Sequence, residues 1–158
     1  MFVDSKELSE EARVWVYPSS RKFYSQEIDD LKSKLKEFAN NWIEDEEALV
    51  SCELIHDRFV VFYVEENITI TNAYLNEKVA FIIQLQETYE IELLDKMNVC
   101  FKQGEFIQYK DVKAFKKLLK NRAVSSKAIV FDNLVQTKYE LKNYWEVPIT
   151  ESWYNRLL

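Results

Sequence analysis

The chain has 158 residues, 47% of them hydrophobic and 30% charged, with a net charge of −6. That length fits one domain with a core large enough to need no disulfide or metal staple. Its aromatic and β-branched residues exclude a disordered chain, and its acidity opposes nonspecific binding to nucleic-acid phosphates.

Residues 1–11 carry Asp4, Glu7, Glu10 and Glu11 and no apolar stretch, which argues against a secretory leader. From Ala12 to Tyr17, alternating β-branched and aromatic residues predict a strand that ends at Pro18. Ser25 offers an N-cap for a helix with an apolar stripe of Ile28, Leu31, Leu35, Phe38 and Trp42 at spacings of three and four. Leu49 to His56 and Arg58 to Glu65 read as two strands joined by a tight turn near Asp57. Leu75, Val79, Ile82, Ile83 and Tyr89 predict a second helix, and Met97 to Lys102 a fourth strand. The order strand, helix, strand, strand, helix, strand predicts an α+β fold of the ferredoxin-like split βαβ type, an antiparallel sheet with its helices on one face.

Residues 103–158 extend that 1–102 core within a single domain. Gln103-Gly104 predicts a turn into a short strand at Glu105 to Tyr109, and Asp111 caps a helix whose inner side is Val112, Phe115, Leu118 and Leu119. Ala128 to Phe131 reads as a strand, Thr137 to Trp145 as a helix, and residues 146–158 as an aromatic tail. The longest apolar run, Phe59 to Val64, is far below the roughly 18 residues of a membrane span. Cys52 and Cys100 stand far apart with no CxxC, as in a cytoplasmic chain with reduced thiols, and strand order should keep them from bonding.

Gly104 is the only glycine. Phosphate cradles and nucleophile elbows need glycines for close backbone approach, and no such motif is present.

Several stretches together resemble a family of short bacterial proteins often labelled "ABC transporter ATPase". They are Ala12 to Trp15, Arg21 to Phe23, Asp95 to Val99, Val130 to Val135, Trp145 to Pro148 and Glu151 to Trp153. The resemblance spans almost the whole chain, but its motifs carry no known chemistry. The ATPase label implies a glycine-rich loop with a lysine beside it, which a chain with one glycine does not supply. Where the family usually shows Gly-Cys-Ser-Ile-Asp, this chain has Asn72-Ala73-Tyr74-Leu75-Asn76, and Tyr154 stands where a histidine often follows the tryptophan. The resemblance therefore implies a scaffold whose most reactive positions are emptied.

The candidate sites each have a plainer reading. His56-Asp57-Arg58 holds the only histidine, yet sequence neighbours on a strand point to opposite faces, so a solvated turn competes with a general base. Lys113, Lys116, Lys117, Lys120 and Arg122 form a basic patch, read either as a nucleic-acid footprint or as the wet face of an amphipathic helix. Trp145, Trp153, Tyr154 and Leu157 either anchor a protein partner or fold back over their own sheet. Arg13, Arg21 and Lys22 are candidates for an anion pocket.

No catalytic constellation emerges, so the expected function is a noncatalytic cytoplasmic interaction or accessory domain with a protein partner, a homodimer being one form of it. The alternatives are a small-ligand binder or enzyme whose groups meet only in three dimensions, and a nucleic-acid-associated protein acting through residues 110–127. No cofactor, metal or membrane partner is expected.

Overall fold

The computed structural model describes residues 1–158. The fold is α+β, with two antiparallel sheets and strand–helix–strand units compatible with the ferredoxin-like split βαβ arrangement.

Strand β1 (Arg13–Pro18) leads into helix α1 (Ser25–Trp42), whose buried side is Leu31, Leu35, Ala39 and Trp42. The cap lies one residue earlier than Ser25: the N–H of Tyr24 donates to Glu27 Oε1 at 2.8 Å. Strands β2 (Val50–Ile55) and β3 (Phe59–Val64) form a hairpin through a turn in which His56 and Asp57 have φ of 54° and 53°. Helix α2 (Asn72–Tyr89) follows, capped by the Thr71 hydroxyl. The strand order β1-β3-β2 is that of a split βαβ unit, with α1 and α2 on one face.

The fourth strand, β4 (Val99–Gln103), hydrogen-bonds in a second sheet instead of beside β1. There it pairs with β5 (Phe106–Lys110) and with β6 (Ile129–Phe131), and β6 pairs with β7 (Glu146–Pro148). The sequence explains why a second sheet is needed. Every residue of β3 is apolar and buried, so both of its faces require cover.

Period-two alternation then sorts the side chains into layers. Tyr17, Cys52, Val60, Phe62 and Val64 pack against α1 and α2. Val14, Val16, Phe59, Val61 and Tyr63 face Cys100, Phe131 and Trp145 between the sheets. Val99, Phe101 and Val130 turn outward to Phe115 of helix α3 (Val112–Lys120) and to Ile149 and Tyr154 of the tail. The layers run helix, sheet, sheet, helix.

Helix α4 (Lys138–Tyr144) begins beside the outer edge of β1. The Val14 N–H donates to the Gln136 carbonyl at 3.0 Å, and the Lys138 N–H donates to the Ala12 carbonyl at 2.9 Å. Part of the edge that a fourth strand would cover is thereby closed by residues 136–138, and a groove remains beside it.

Candidate functional site

That groove has a volume of about 630 Å³, within the range of small-molecule sites. Strand β1 supplies Arg13 and Trp15, the segment before β4 supplies Lys96, and Asn133, Leu134 and Gln136 form the opposite wall. Glu11 and Glu66 lie on its lining too, so one part of the groove is acidic.

The unusual feature is Lys78, on the core side of α2 and only 3% exposed. Its Nζ lies 4.1 Å from the centre of the Trp15 ring and 5.5 Å from that of Tyr17. Lys96 Nζ lies 4.4 Å from the Tyr17 ring. Neither ammonium has a hydrogen-bond acceptor or carboxylate partner in the protein. Burial pushes Lys78 down to about 7, with the Lys96 charge adding to the effect, and burial pushes Lys96 down to about 8. An aromatic face attracts a cation, but it does not replace a counter-charge.

Lys78 escapes an apolar-stripe reading because it is charged. That reading places Val79 and Ile83 inward, whereas they are 37% and 41% exposed. The buried residues of α2 are Lys78, Ile82, Leu85 and Tyr89, spaced four, three and four. Carrying that spacing back from Ile82 would have found the lysine.

The proposed anion trio does not converge. Arg13 lines the β1 groove, while Lys22 lines a separate cavity of about 340 Å³ with His56, Asp57 and Arg58. Arg21 is committed elsewhere: its guanidinium donates to both carboxylate oxygens of Glu27, at 2.9 and 3.1 Å, and to the Tyr89 carbonyl at 2.7 Å. The same hydrogen bonds hold the Glu27 carboxyl below its usual range.

The C-terminal aromatics also need correction as a partner anchor. Trp145 is 4% exposed and Tyr154 is fully buried. Trp145 Nε1 donates to Asn133 Oδ1 at 2.9 Å between the sheets. Trp153 and Leu157 are half-buried against the outer face of the second sheet. These groups cover their own sheet because Val99, Phe101 and Val130 would otherwise face water.

His56 finds its partner 90 positions away: its Nε2 lies 3.1 Å from Glu146 Oε2. The other carboxylate oxygen of Glu146 meets the Lys102 ammonium. Burial pushes Glu146 up, but hydrogen bonds from Lys102 and His56 outweigh it and hold the carboxyl below its ordinary value. The imidazole packs against Phe59, Phe131 and Trp145, so this pair links the β2–β3 turn to β7.

On α3, Lys113, Lys116, Lys117 and Lys120 are exposed and unpaired, as is Arg122 beyond the helix end. Asp111 caps that helix, accepting from the Ala114 N–H at 2.7 Å. Phe115 provides its single fully buried contact.

Cys52 lies on the helix side of the first sheet and Cys100 between the sheets; both are free. Burial pushes Cys52 well up and Cys100 up to about 12, so neither thiolate forms readily. A maleimide is expected to label neither cysteine on the folded chain and both once denaturant is added, which intact mass would report.

A second groove, of about 470 Å³, lies between α1 and α2 over the stacked rings of Phe38 and Phe81. It contains no comparable unpartnered buried charge. No helix is long and apolar enough to cross a membrane.

No family model matches the chain, and no curated protein or solved structure does.

Proposed function

We propose that this chain is a cytoplasmic small-ligand-binding domain that receives an anion in the groove beside β1. The observation that carries this reading is the pair of amines, Lys78 and Lys96, set against Trp15 and Tyr17 with no carboxylate in salt-bridge contact. Charge drawn out of most of its water without a partner is costly, and a bound carboxylate or phosphate would offset that cost. Lys96 and Arg13 line the groove and would meet the anion directly, with Lys78 behind Trp15 adding to the local field. Trp15 offers an apolar wall for the rest of the ligand.

An interaction domain, the leading expectation where no catalytic constellation emerges from the sequence, loses support because Trp145 and Tyr154 are committed to the core. The exposed lysines of α3 fit the wet face of an amphipathic helix whose inner side buries Phe115.

The test is thermal unfolding in graded inorganic phosphate and in malonate at constant ionic strength. Saturable stabilisation is expected with at least one of them, reaching about 2.7 kcal/mol at a hundredfold excess over Kd. Arg13→Ala and Lys96→Met are each expected to weaken binding about tenfold or more. Lys113→Glu with Lys117→Glu is expected to leave it unchanged. Linear, unsaturable stabilisation by both anions, or full retention in Lys96→Met, would overturn the reading.

A further inference from the structure

The groove beside β1 is lined by charges of both signs, and their order along the strand specifies more than an anion. We propose that the site takes a small dipolar molecule, a carboxylate joined by an unbranched chain to an ammonium group. This deepens the ligand-binding reading and rests on it.

Strand periodicity sets the order. Glu11, Arg13, Trp15 and Tyr17 are alternate residues, so they follow one another along one face of β1 and of the segment entering it. Lys96 Nζ stands over the Tyr17 ring, at the end of this row away from Glu11. Arg13 pairs with Val64, and the same antiparallel register carried outward sets Glu66 opposite Glu11. The basic groups therefore lie toward one end of the groove and two carboxylates at the other.

A neighbouring cavity of about 440 Å³ continues the acidic end. It shares Glu11, Glu66 and Thr137 with the groove and adds Glu10 and Tyr139. Carboxylates and a tyrosine ring suit an ammonium group, and no lysine or arginine lines this cavity. Glu10 is answered in part by Lys142 at 3.5 Å. Glu11 and Glu66 have no basic partner in salt-bridge contact, and Arg13 and Lys96 have no acidic one.

Opposite charges thus share one cleft without neutralising each other. A bare anion at Arg13 would be repelled by carboxylates rooted two strand residues away, about 7 Å along the chain. A ligand that carries its own cation turns that repulsion into attraction. The spacing calls for a linear molecule and not an α-amino acid, whose two charged groups share one carbon. Glu11, Arg13 and Glu66 are exposed and Lys96 is half-buried, so each contact is worth little and the preference is several-fold. The cavity at the β2–β3 turn also holds both signs, but His56 there is already paired with Glu146.

The probe is 6-aminohexanoate, set against hexanoate, 1-aminohexane and glycine. Each is titrated calorimetrically into the full chain at neutral pH and constant low ionic strength. 6-Aminohexanoate is expected to bind saturably and about fivefold more tightly than hexanoate, the gain of an exposed ion pair. 1-Aminohexane and glycine are expected to bind more weakly than either. In the double variant Glu11→Gln with Glu66→Gln, the preference for 6-aminohexanoate over hexanoate should vanish, while hexanoate and inorganic phosphate bind as tightly as before or tighter. Both positions are exposed, so the fold is expected to tolerate the changes. Arg13→Ala should weaken 6-aminohexanoate and hexanoate alike.

Hexanoate binding the wild-type chain as tightly as 6-aminohexanoate, or a preference that survives in the double variant, would overturn the proposal. If phosphate or malonate still stabilises the chain saturably in that case, the anion site stands and the dipolar assignment alone fails. If no anion binds at all, both fall together.

Discussion

Replacing Lys78 with methionine is expected to make the protein more stable, by about 1–4 kcal/mol at pH 7, a rise in Tm of roughly 3–10 °C for a chain of this size. Methionine fills a similar unbranched volume and needs no proton or hydrogen-bond partner. The wild-type lysine is buried at 3% exposure over two aromatic rings, with Lys96 as its nearest charged influence. Folding must either draw its charge out of most of its water or strip its proton.

The pH dependence follows from the sign of the shift. Lys78 is held at about 7 in the folded chain, well below its ordinary value, so between these two limits the unfolded chain binds the extra proton. Stability therefore rises with pH once the folded-state value is passed. Lys96, held at about 8, acts in the same direction, while Tyr17, raised to about 12, stays protonated throughout. The buried thiols act oppositely near pH 9, because the unfolded chain loses protons there that the folded chain keeps.

Denaturant unfolding is thus expected to show a gain on the order of 1–2 kcal/mol between pH 7 and about 8.5. The gain should shrink in Lys78→Met. A Lys78→Met protein less stable than the wild type would mean that the ammonium has a favourable partner in the folded chain, and the ligand argument would lose its premise.

Trp145→Ala is expected to cost about 3–5 kcal/mol, lowering Tm by roughly 10 °C. The indole packs against Phe59, Phe131 and His56 between the two sheets. Its removal opens a cavity there and takes the donor away from Asn133 Oδ1, whose Nδ2 is already without a partner. Trp145→Phe keeps most of the packing and loses the hydrogen bond, so an intermediate loss is expected. Calorimetry of the three proteins distinguishes a core residue from a surface anchor. An anchor truncated to alanine would leave Tm within about 1 °C of the wild type, since exposed substitutions rarely change stability much.

Local regularities were the most legible part of the fold. Helix α1 follows from one apolar stripe, the β2–β3 hairpin from two β-rich runs flanking a polar turn, and α3 from its Asp111 cap. What pairs with what was harder to read. Strand β4 has the same apolar character whether it lies beside β1 or between β5 and β6, and the choice depends on covering the far side of β3. Strand β7 is three residues long and ends in Pro148, leaving little periodicity to detect.

The site was less legible for a related reason. Arg13 was singled out, but the partners assigned to it, Arg21 and Lys22, were its neighbours in sequence. The groove instead brings Arg13 to Lys96, from a segment far along the chain, and Lys78 occupies a place that hydrophobic patterning reserves for a leucine. His56 and Glu146 likewise meet only because the two sheets are stacked.

The corners of this chain turn left-handed almost without glycine. His56, Asp57, Glu90 and Arg122 adopt positive φ with a Cβ in place, beside the one glycine at Gly104. Each such residue carries strain of about 1 kcal/mol in the folded protein. The unfolded chain is altered as well: with glycine so scarce, it samples fewer backbone states and has less entropy to lose on folding. These effects oppose one another and are similar in size. Their joint consequence concerns the route to the native state more than its depth. Local preference favours these corners less than glycine would, so the hairpin turn and both helix ends lean more on the strands and helices packed beside them.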